Sequence, residues 1–354
     1  MENITFISLT PNTRCEAGHD VVYHRCLETI CKQLGINFWA FTSRFATFVL
    51  PSRWSPFFRA RKWRIIDCAR AFFFQRFEKG EKRIFFIESF STIDFFSLCI
   101  AGFLFAKRSD SLWVFFRYGK NQLPMKGFLH LVLTRILQFR FKERFVALTD
   151  SELIKNSFSP QLQLKVMPIP HTESFKNDDL PKDTLLFWWP GPPRASKGLN
   201  HIQDLVRLSS PAHFTLSLAK SAPLPLDTKI NVHRVDDVLT REEYVKQMQR
   251  SDLILLPYDP SVYCAGTSGI FIEAVIAGKI PVVKEGSWLS HELKRYSLDA
   301  LVLDWSSSTL IETLVHIQKD NEIRKLLKKM RADYLEYHCL ESYQEKFKDL
   351  ISQC

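Results

Sequence analysis

The chain has 354 residues, 46% of them hydrophobic and 24% charged, with a formal net charge of +10. That is ordinary for a soluble globular protein and long enough for two domains with sizeable cores. Eight Cys without a CxxC pair, in a chain this long, exclude a fold held by disulfide staples and read as reduced thiols of a cytoplasmic protein. Ten His in no ligand-like spacing argue against a structural metal. Thirty Phe against twelve Gly point to large aromatic cores or aromatic-rich surfaces. The positive charge points to an anionic partner: a nucleotide, a phospholipid surface or nucleic acid.

The start, MENITFISLT, lacks the basic beginning of a signal peptide and reads as a first strand over 4–9. A polar loop from Pro11 to His19 leads to a helix over 20–34, and INFWAF (36–41) is a second strand. Residues 57–79 mix Phe and Trp with Arg and Lys and fit one helix with an apolar and a basic side. RIFFIE (83–88) is a strand and 92–107 a very apolar helix. Its longest apolar run, Phe95 to Ala106, is too short to span a membrane and reads as buried. Strands follow at 112–116, 145–149 and 165–169, with a helix rich in Leu, Phe and Arg over 125–142.

Residues 172–183 (TESFKNDDLPKD) are polar and read as a linker. A second series then begins with a strand at 185–189, a helix after Gly198, and strands at 214–219 and 230–235. The helix over 240–251 opens with Thr240 and Glu243 in capping-box spacing. After the next strand, 253–256, come a Gly-Thr-Ser-Gly loop, a helix and a strand from Ile280. A further strand at 300–305 and C-terminal helices complete the chain. Alternating strands and helices imply an α/β protein of two Rossmann-like domains facing a central cleft, with ligands at the carboxyl ends of the strands. The boundaries fall at 1–172 and 173–354, with the last helix free to pack back on the first domain.

Two stretches carry chemistry. In 251–283, Gly266, Thr267, Ser268 and Gly269 join a strand to a helix, where free N–H groups and a positive dipole end suit a phosphate. Glu273 lies one turn into that helix, placed to accept hydrogen bonds from sugar hydroxyls. In PGPPRASKGL (190–199), Arg194 and Lys197 stand three apart in a Gly/Pro-rich turn. Arg holds two phosphate oxygens in a fork and Lys adds a mobile charge, so the pair suits a leaving nucleoside diphosphate. Arg117, Tyr118, Lys120 and Glu88 follow or end strands of the first half and are further candidates.

Taken together, Arg194, Lys197, Gly198, Asp252, Pro257, Gly269, Glu273, Ala274, Gly278, Pro281, Val282 and Val283 resemble the C-terminal half of retaining GT-B glycosyltransferases of the family-4-like group. The likeness covers about 185–310; in the first half only the strand–helix rhythm and Gly18-His19 match. The resemblance implies that Arg194 and Lys197 contact the donor diphosphate. It implies that Gly18, Gly266, Thr267, Ser268 and Gly269 line the donor site and that Glu273 binds the ribose. His19 would sit near the acceptor or the diphosphate and join Arg194 and Lys197 as a catalytic group. Transfer in such enzymes takes a front-face route assisted by the leaving phosphate, so no nucleophile is expected. Metal is not required where Arg and Lys do its work, and no cofactor is implied beyond the nucleotide-sugar substrate. One departure stands out: Ala265 occupies the place of a second Glu, near the donor sugar, in many members.

The expected function is transfer of a sugar from a nucleotide-sugar to a glycan or glycolipid acceptor such as an envelope polysaccharide precursor. Basic residues beside aromatic ones over 57–79 and 125–142 suit helices that meet an anionic membrane surface, so the location expected is cytoplasmic, with a peripheral place at the inner face of the membrane. The alternatives are a non-catalytic nucleotide- or glycan-binding relative, motivated by Ala265, and a nucleotide-sugar epimerase. A nucleic-acid partner is not expected, because the basic residues are spread along the chain and no recognition motif is present.

Overall fold

A computed structural model describes residues 4–14, 19–74, 82–119, 124–170, 185–207, 214–225 and 230–353, the side chains of 19 and 124–126 apart. The chain divides into two compact units: Met1–His171 with Leu340–Cys354, and Thr172–Cys339. The linker expected at 172–183 lies outside the described residues.

In the first unit β1 (Ile4–Thr10), α1 (His19–Gln33), β2 (Asn37–Ser43), β3 (Trp54–Phe58) and α2 (Arg64–Phe72) come first. Then follow β4 (Lys82–Ile87), α3 (Thr92–Phe105), β5 (Ser111–Phe115), α4 (Pro124–Phe141), β6 (Phe145–Thr149), α5 (Glu152–Phe158) and β7 (Leu164–Val166). All pairings are parallel, in the order β3-β2-β1-β4-β5-β6-β7. Helices cover such a sheet on both faces, so from Arg83 onward β4, β5 and β6 are buried at every residue rather than at alternate ones, and most of those residues are apolar. Much of the Phe content is spent here: Phe6 lies 5.6 Å from Phe86 and 5.7 Å from Trp113, ring to ring. The last helix of the chain belongs to this core. Its Phe347 ring lies 5.2 Å from Phe6, and its Tyr343 hydroxyl is 2.7 Å from that of Tyr23.

The second unit runs β8 (Leu185–Trp188), α6 (Leu199–Arg207), β9 (Phe214–Ala219), β10 (Asn231–Val235), α7 (Arg241–Arg250) and β11 (Leu253–Leu256). It continues with α8 (Pro260–Tyr263), α9 (Gly269–Ile276), β12 (Ile280–Lys284), α10 (Trp288–Arg295), β13 (Val302–Leu303), α11 (Leu310–Lys319) and α12 (Asn321–Tyr337). The helix of the last core contact above is α13 (Leu340–Ser352). The second sheet is also parallel, in the order β10-β9-β8-β11-β12-β13. The capping box at Thr240 and Glu243 is formed in both directions.

Four expectations are corrected. The helix read over 57–79 begins as β3 instead. Pro56, which lacks an N–H, fits there because β3 is an edge strand, and Phe57 stacks on Phe41 of β2 at 4.4 Å. The apolar run of α3 is buried on one side only, with Phe96, Phe103 and Leu104 exposed. The strand read at 165–169 is confined to Leu164–Val166, and the one at 300–305 to Val302–Leu303 after a 3-10 turn. Both lie at sheet edges, where one neighbour rather than two fixes the backbone.

Candidate functional site

In the second sheet, the strand order turns back on itself between β8 and β11. Connections leave these two neighbouring strands in opposite directions, so a crevice opens beyond their carboxyl ends. The two chemistry-bearing stretches follow those strands and touch one another. The amide of Asp259 donates to the Ser196 carbonyl at 2.9 Å. A Cβ on Gly198 would stand 2.2 Å from the Pro257 carbonyl oxygen, and its φ is +85°. Only glycine permits that backbone and that approach. Gly191 also has a positive φ, +87°, and lies near the Lys197 ammonium: a Cβ there would lie 2.7 Å from Nζ and 3.8 Å from Ile270 Cδ1, in the first turn of α9. The Lys197 ammonium thus lies beside Gly191 and the start of α9.

The Trp189 indole donates to the Lys197 carbonyl at 3.0 Å, and Nζ lies 5.5 Å from the Tyr258 ring centroid. Burial, with the Arg194 guanidinium second, lowers the lysine to about 8. Arg194 itself is exposed. Among the described residues neither cation forms an ion pair with a carboxylate. The helix end beside them is capped by Ser268, whose Oγ accepts from the Phe271 amide at 3.3 Å. Gly266, Thr267 and Gly269 are half-buried and Ser268 is buried. Loop, cations and positive helix end therefore share one sign, an arrangement that receives an anion.

Glu273 sits in the same helix but is 1% exposed. Its Oε2 accepts from the Tyr244 hydroxyl at 2.7 Å and its Oε1 meets Arg241 Nη1 at 2.8 Å. Tyr244 in turn packs on Trp188 at the end of β8, 5.3 Å between centroids. The carboxylate expected to meet a ribose thus also anchors α7 to α9. Arg241 and Tyr244 escaped the sequence reading: they are one turn apart in an ordinary capped helix, and nothing in their spacing marks a shared partner.

The first sheet turns back between β1 and β4. Glu88, just beyond β4, is buried, hydrogen-bonded to His24 Nε2 at 3.0 Å and ion-paired with Arg117. Arg117 also pairs with Asp150, and His24 Nδ1 lies 2.8 Å from Ser8 Oγ. Burial alone would raise the Glu88 carboxyl, but Arg117 and His24 together hold it down at about 2. Asp150 Oδ1 has no hydrogen-bond partner among the described residues. Glu88 and Arg117, candidates from the sequence, are thus brought together; His24 and Asp150 were missed. Tyr118 is exposed, and Lys120 lies outside the described residues. His19 opens α1 in this unit, and Gly18 lies outside the described residues. Among the described residues no group of three or more His, Cys, Asp or Glu is placed to hold a metal ion.

The sequence matches no protein-family model and no curated protein sequence. Solved structures do match the fold along its whole length. A sucrose-phosphate synthase from Thermosynechococcus elongatus superposes with a TM-score of 0.70 at 14% identity, covering 100% of this chain and 99% of that one. An α,α-trehalose-phosphate synthase (UDP-forming) from Burkholderia vietnamiensis gives 0.64 at 11% identity, covering 99% and 100%. An α-glucosyltransferase solved with UDP-glucose and DNA gives 0.57 at 11%, covering 99% of each chain. The fold is that of the two-domain GT-B glycosyltransferases.

Proposed function

We propose that this chain is a nucleotide-sugar-dependent glycosyltransferase whose donor diphosphate is held beyond β8 and β11. The observation that supports it most is the Lys197 ammonium beside the first turn of α9, with the Arg194 charge near enough to lower it, in a turn that packs on Pro257 through Gly198. Cations without a carboxylate partner stabilise the charge that grows on a leaving diphosphate, and a half-buried ammonium does so more strongly than one in water. The sugar C1–phosphate bond breaks, the bond to the acceptor oxygen forms, and the acceptor proton passes to the departing phosphate oxygen. We take transfer to proceed with retention, as a related trehalose-6-phosphate synthase is described, and without a metal, since Arg194 and Lys197 supply the positive charge. Thr267, Ser268 and Gly269 offer hydroxyl and backbone donors, and Glu273 meets the ribose by exchanging its contact with Tyr244 or Arg241 for a sugar hydroxyl. UDP is the first base to test, because the Burkholderia enzyme is UDP-forming and the α-glucosyltransferase was solved with UDP-glucose.

The acceptor we propose is a glycan or glycolipid, with an anionic membrane surface as the partner that presents it. His19 and Gly18 belong to the acceptor-side unit in this reading, and the protein works in the cytoplasm. A second reading, a non-catalytic nucleotide-binding relative, is favoured by Ala265, which puts no carboxylate near the donor sugar.

The test is a thermal-shift screen against UDP, GDP, ADP, CMP and their sugar conjugates, with and without EDTA. A ligand of the native state raises the melting temperature with its concentration. The expected result is a shift with one nucleoside diphosphate, insensitive to EDTA and lost in Arg194→Ala. No shift with any nucleotide refutes the donor site. A shift without transfer or donor hydrolysis selects the second reading.

A further inference from the structure

The helices α2, α3 and α4 form one layer over the first sheet, with α3 packed against both neighbours. The packing is close: a Cβ on Gly102 would lie 3.3 Å from Phe141 and 3.5 Å from Phe72. Arg140 ties the layer further by donating to the Phe103 and Ala106 carbonyls. Each helix buries one apolar stripe and carries a second on the opposite side. On α4 the buried stripe is Leu133, Leu137 and Phe141, while Phe128, Leu129, Val132, Ile136 and Phe139 are exposed. On α3, Ile93, Phe96, Phe103 and Leu104 are exposed, and Ile65, Ile66 and Phe73 continue the face at α2. These positions recur at helical spacing, so each set lies along one line of its helix. Phe128 is 67% exposed, Leu104 63% and Phe139 78%. An apolar face of this breadth marks an interaction surface rather than scattered exposed side chains.

Charge decides the occupant. The three helices hold two acidic residues, Asp67 and Asp94, both fully buried and ion-paired, with Arg59 and Arg64. The exposed charges on and beside the face are basic: Arg61 and Lys62 before α2, Arg70 within it, Lys107 and Arg108 after α3, and Arg135 on α4. The exposed acid at the end of α4, Glu143, stands between Lys142 and Arg144. A second copy of the chain would bring the same cations against one another, because a two-fold interface presents one patch to itself. An anionic lipid surface meets both features at once, apolar side chains at the acyl boundary and cations at the headgroups. Among the described residues no helix is long and apolar enough to cross a membrane.

We propose that the outer face of α2, α3 and α4 docks on an anionic lipid bilayer, with Phe128, Phe139 and Leu104 entering the acyl boundary. It names the face by which the membrane partner proposed above is met, and it rests on that part of the reading alone. The transfer reading fails or stands by nucleotide binding, without vesicles; the docking face fails or stands by vesicle binding, without donor.

The full chain is sedimented at low salt with vesicles of phosphatidylcholine alone and of phosphatidylcholine with phosphatidylglycerol. Variants are Phe128→Ser with Phe139→Ser, and Arg108→Glu with Arg135→Glu, all at exposed positions, with folding checked by thermal melting. The expected result is binding to the anionic vesicles only, weakened about tenfold or more by either pair and reduced by salt. Equal binding to both vesicle types, or binding that neither pair weakens, overturns the proposal. So does absence of binding together with a concentration-dependent dimer that the Phe128→Ser, Phe139→Ser pair dissolves, which assigns the face to a second copy.

Discussion

The two sheets share a strand order up to their sixth strand, and each leaves a crevice where that order turns back. The crevices are furnished in opposite ways. Beyond β8 and β11 stand Arg194 and Lys197, without a carboxylate partner among the described residues, beside a positive helix end. Beyond β1 and β4 stand Glu88, His24, Arg117 and Asp150, each already facing an opposite or hydrogen-bonding partner. One topology thus gives a place that awaits negative charge and a place where charge is settled within the protein. Electrostatics, not topology, tells the two apart, and each can be perturbed separately.

The largest effect is expected in the first sheet. Arg117→Ala leaves Glu88 and Asp150 as buried carboxylates without their shared counter-ion and should cost about 3–5 kcal/mol in denaturant unfolding. The acid limb offers a second check. Glu88 is held at about 2, below its ordinary value of 4.5. Its contribution is therefore fully present above about pH 4.5 and is lost as pH falls toward 2. Stability measured against pH should fall through that window in the native chain and fall less steeply in Arg117→Ala. An unchanged stability would show that the network is not a structural unit.

In the second sheet, Gly198→Ala places a methyl on the Pro257 carbonyl at a positive φ. We expect a loss of about 3 kcal/mol, from strain and displacement of the turn. A melt unchanged within error would break the link between the two loops on which the donor site depends. The smallest effect, on affinity alone, is expected at Lys197. Its value near 8 lies below the ordinary 10.5. The charged form is disfavoured by the fold, and this cost is present below about pH 8 and relieved as pH rises toward 10.5. A bound diphosphate favours the charged form, so nucleotide affinity should decline as pH rises through about 8. In Lys197→Met affinity should be lower by about tenfold at neutral pH and lose that dependence. Calorimetry over pH 6.5 to 9.5, about three units, covers the window around Lys197. A native profile as flat as that of the variant would remove Lys197 from the site.

The sequence by itself determined the alternation of strands and helices, the capping box at Thr240 and Glu243, and the two loops that follow β8 and β11. Those features are local: an apolar run, a cap three residues from its partner, a glycine where a helix must begin. It could also place Arg194 and Lys197 in one turn, since three residues apart is a neighbourly distance in any backbone. Only the tertiary structure decided what the turn touches. The Gly198–Pro257 approach spans 59 residues of chain, the Tyr244–Glu273 hydrogen bond 29 and the Glu88–Arg117 pair 29. No periodicity records such pairs, because they arise from strand order. The same holds for residues 57–58, whose Phe side chains suit either helix or strand until β2 offers an edge to pair with. It holds most of all for α3. Its composition is apolar on all sides, which reads as burial, yet a helix in the outer layer of one sheet has only one side to bury. The remainder faces outward for a geometric reason that no single helix can disclose.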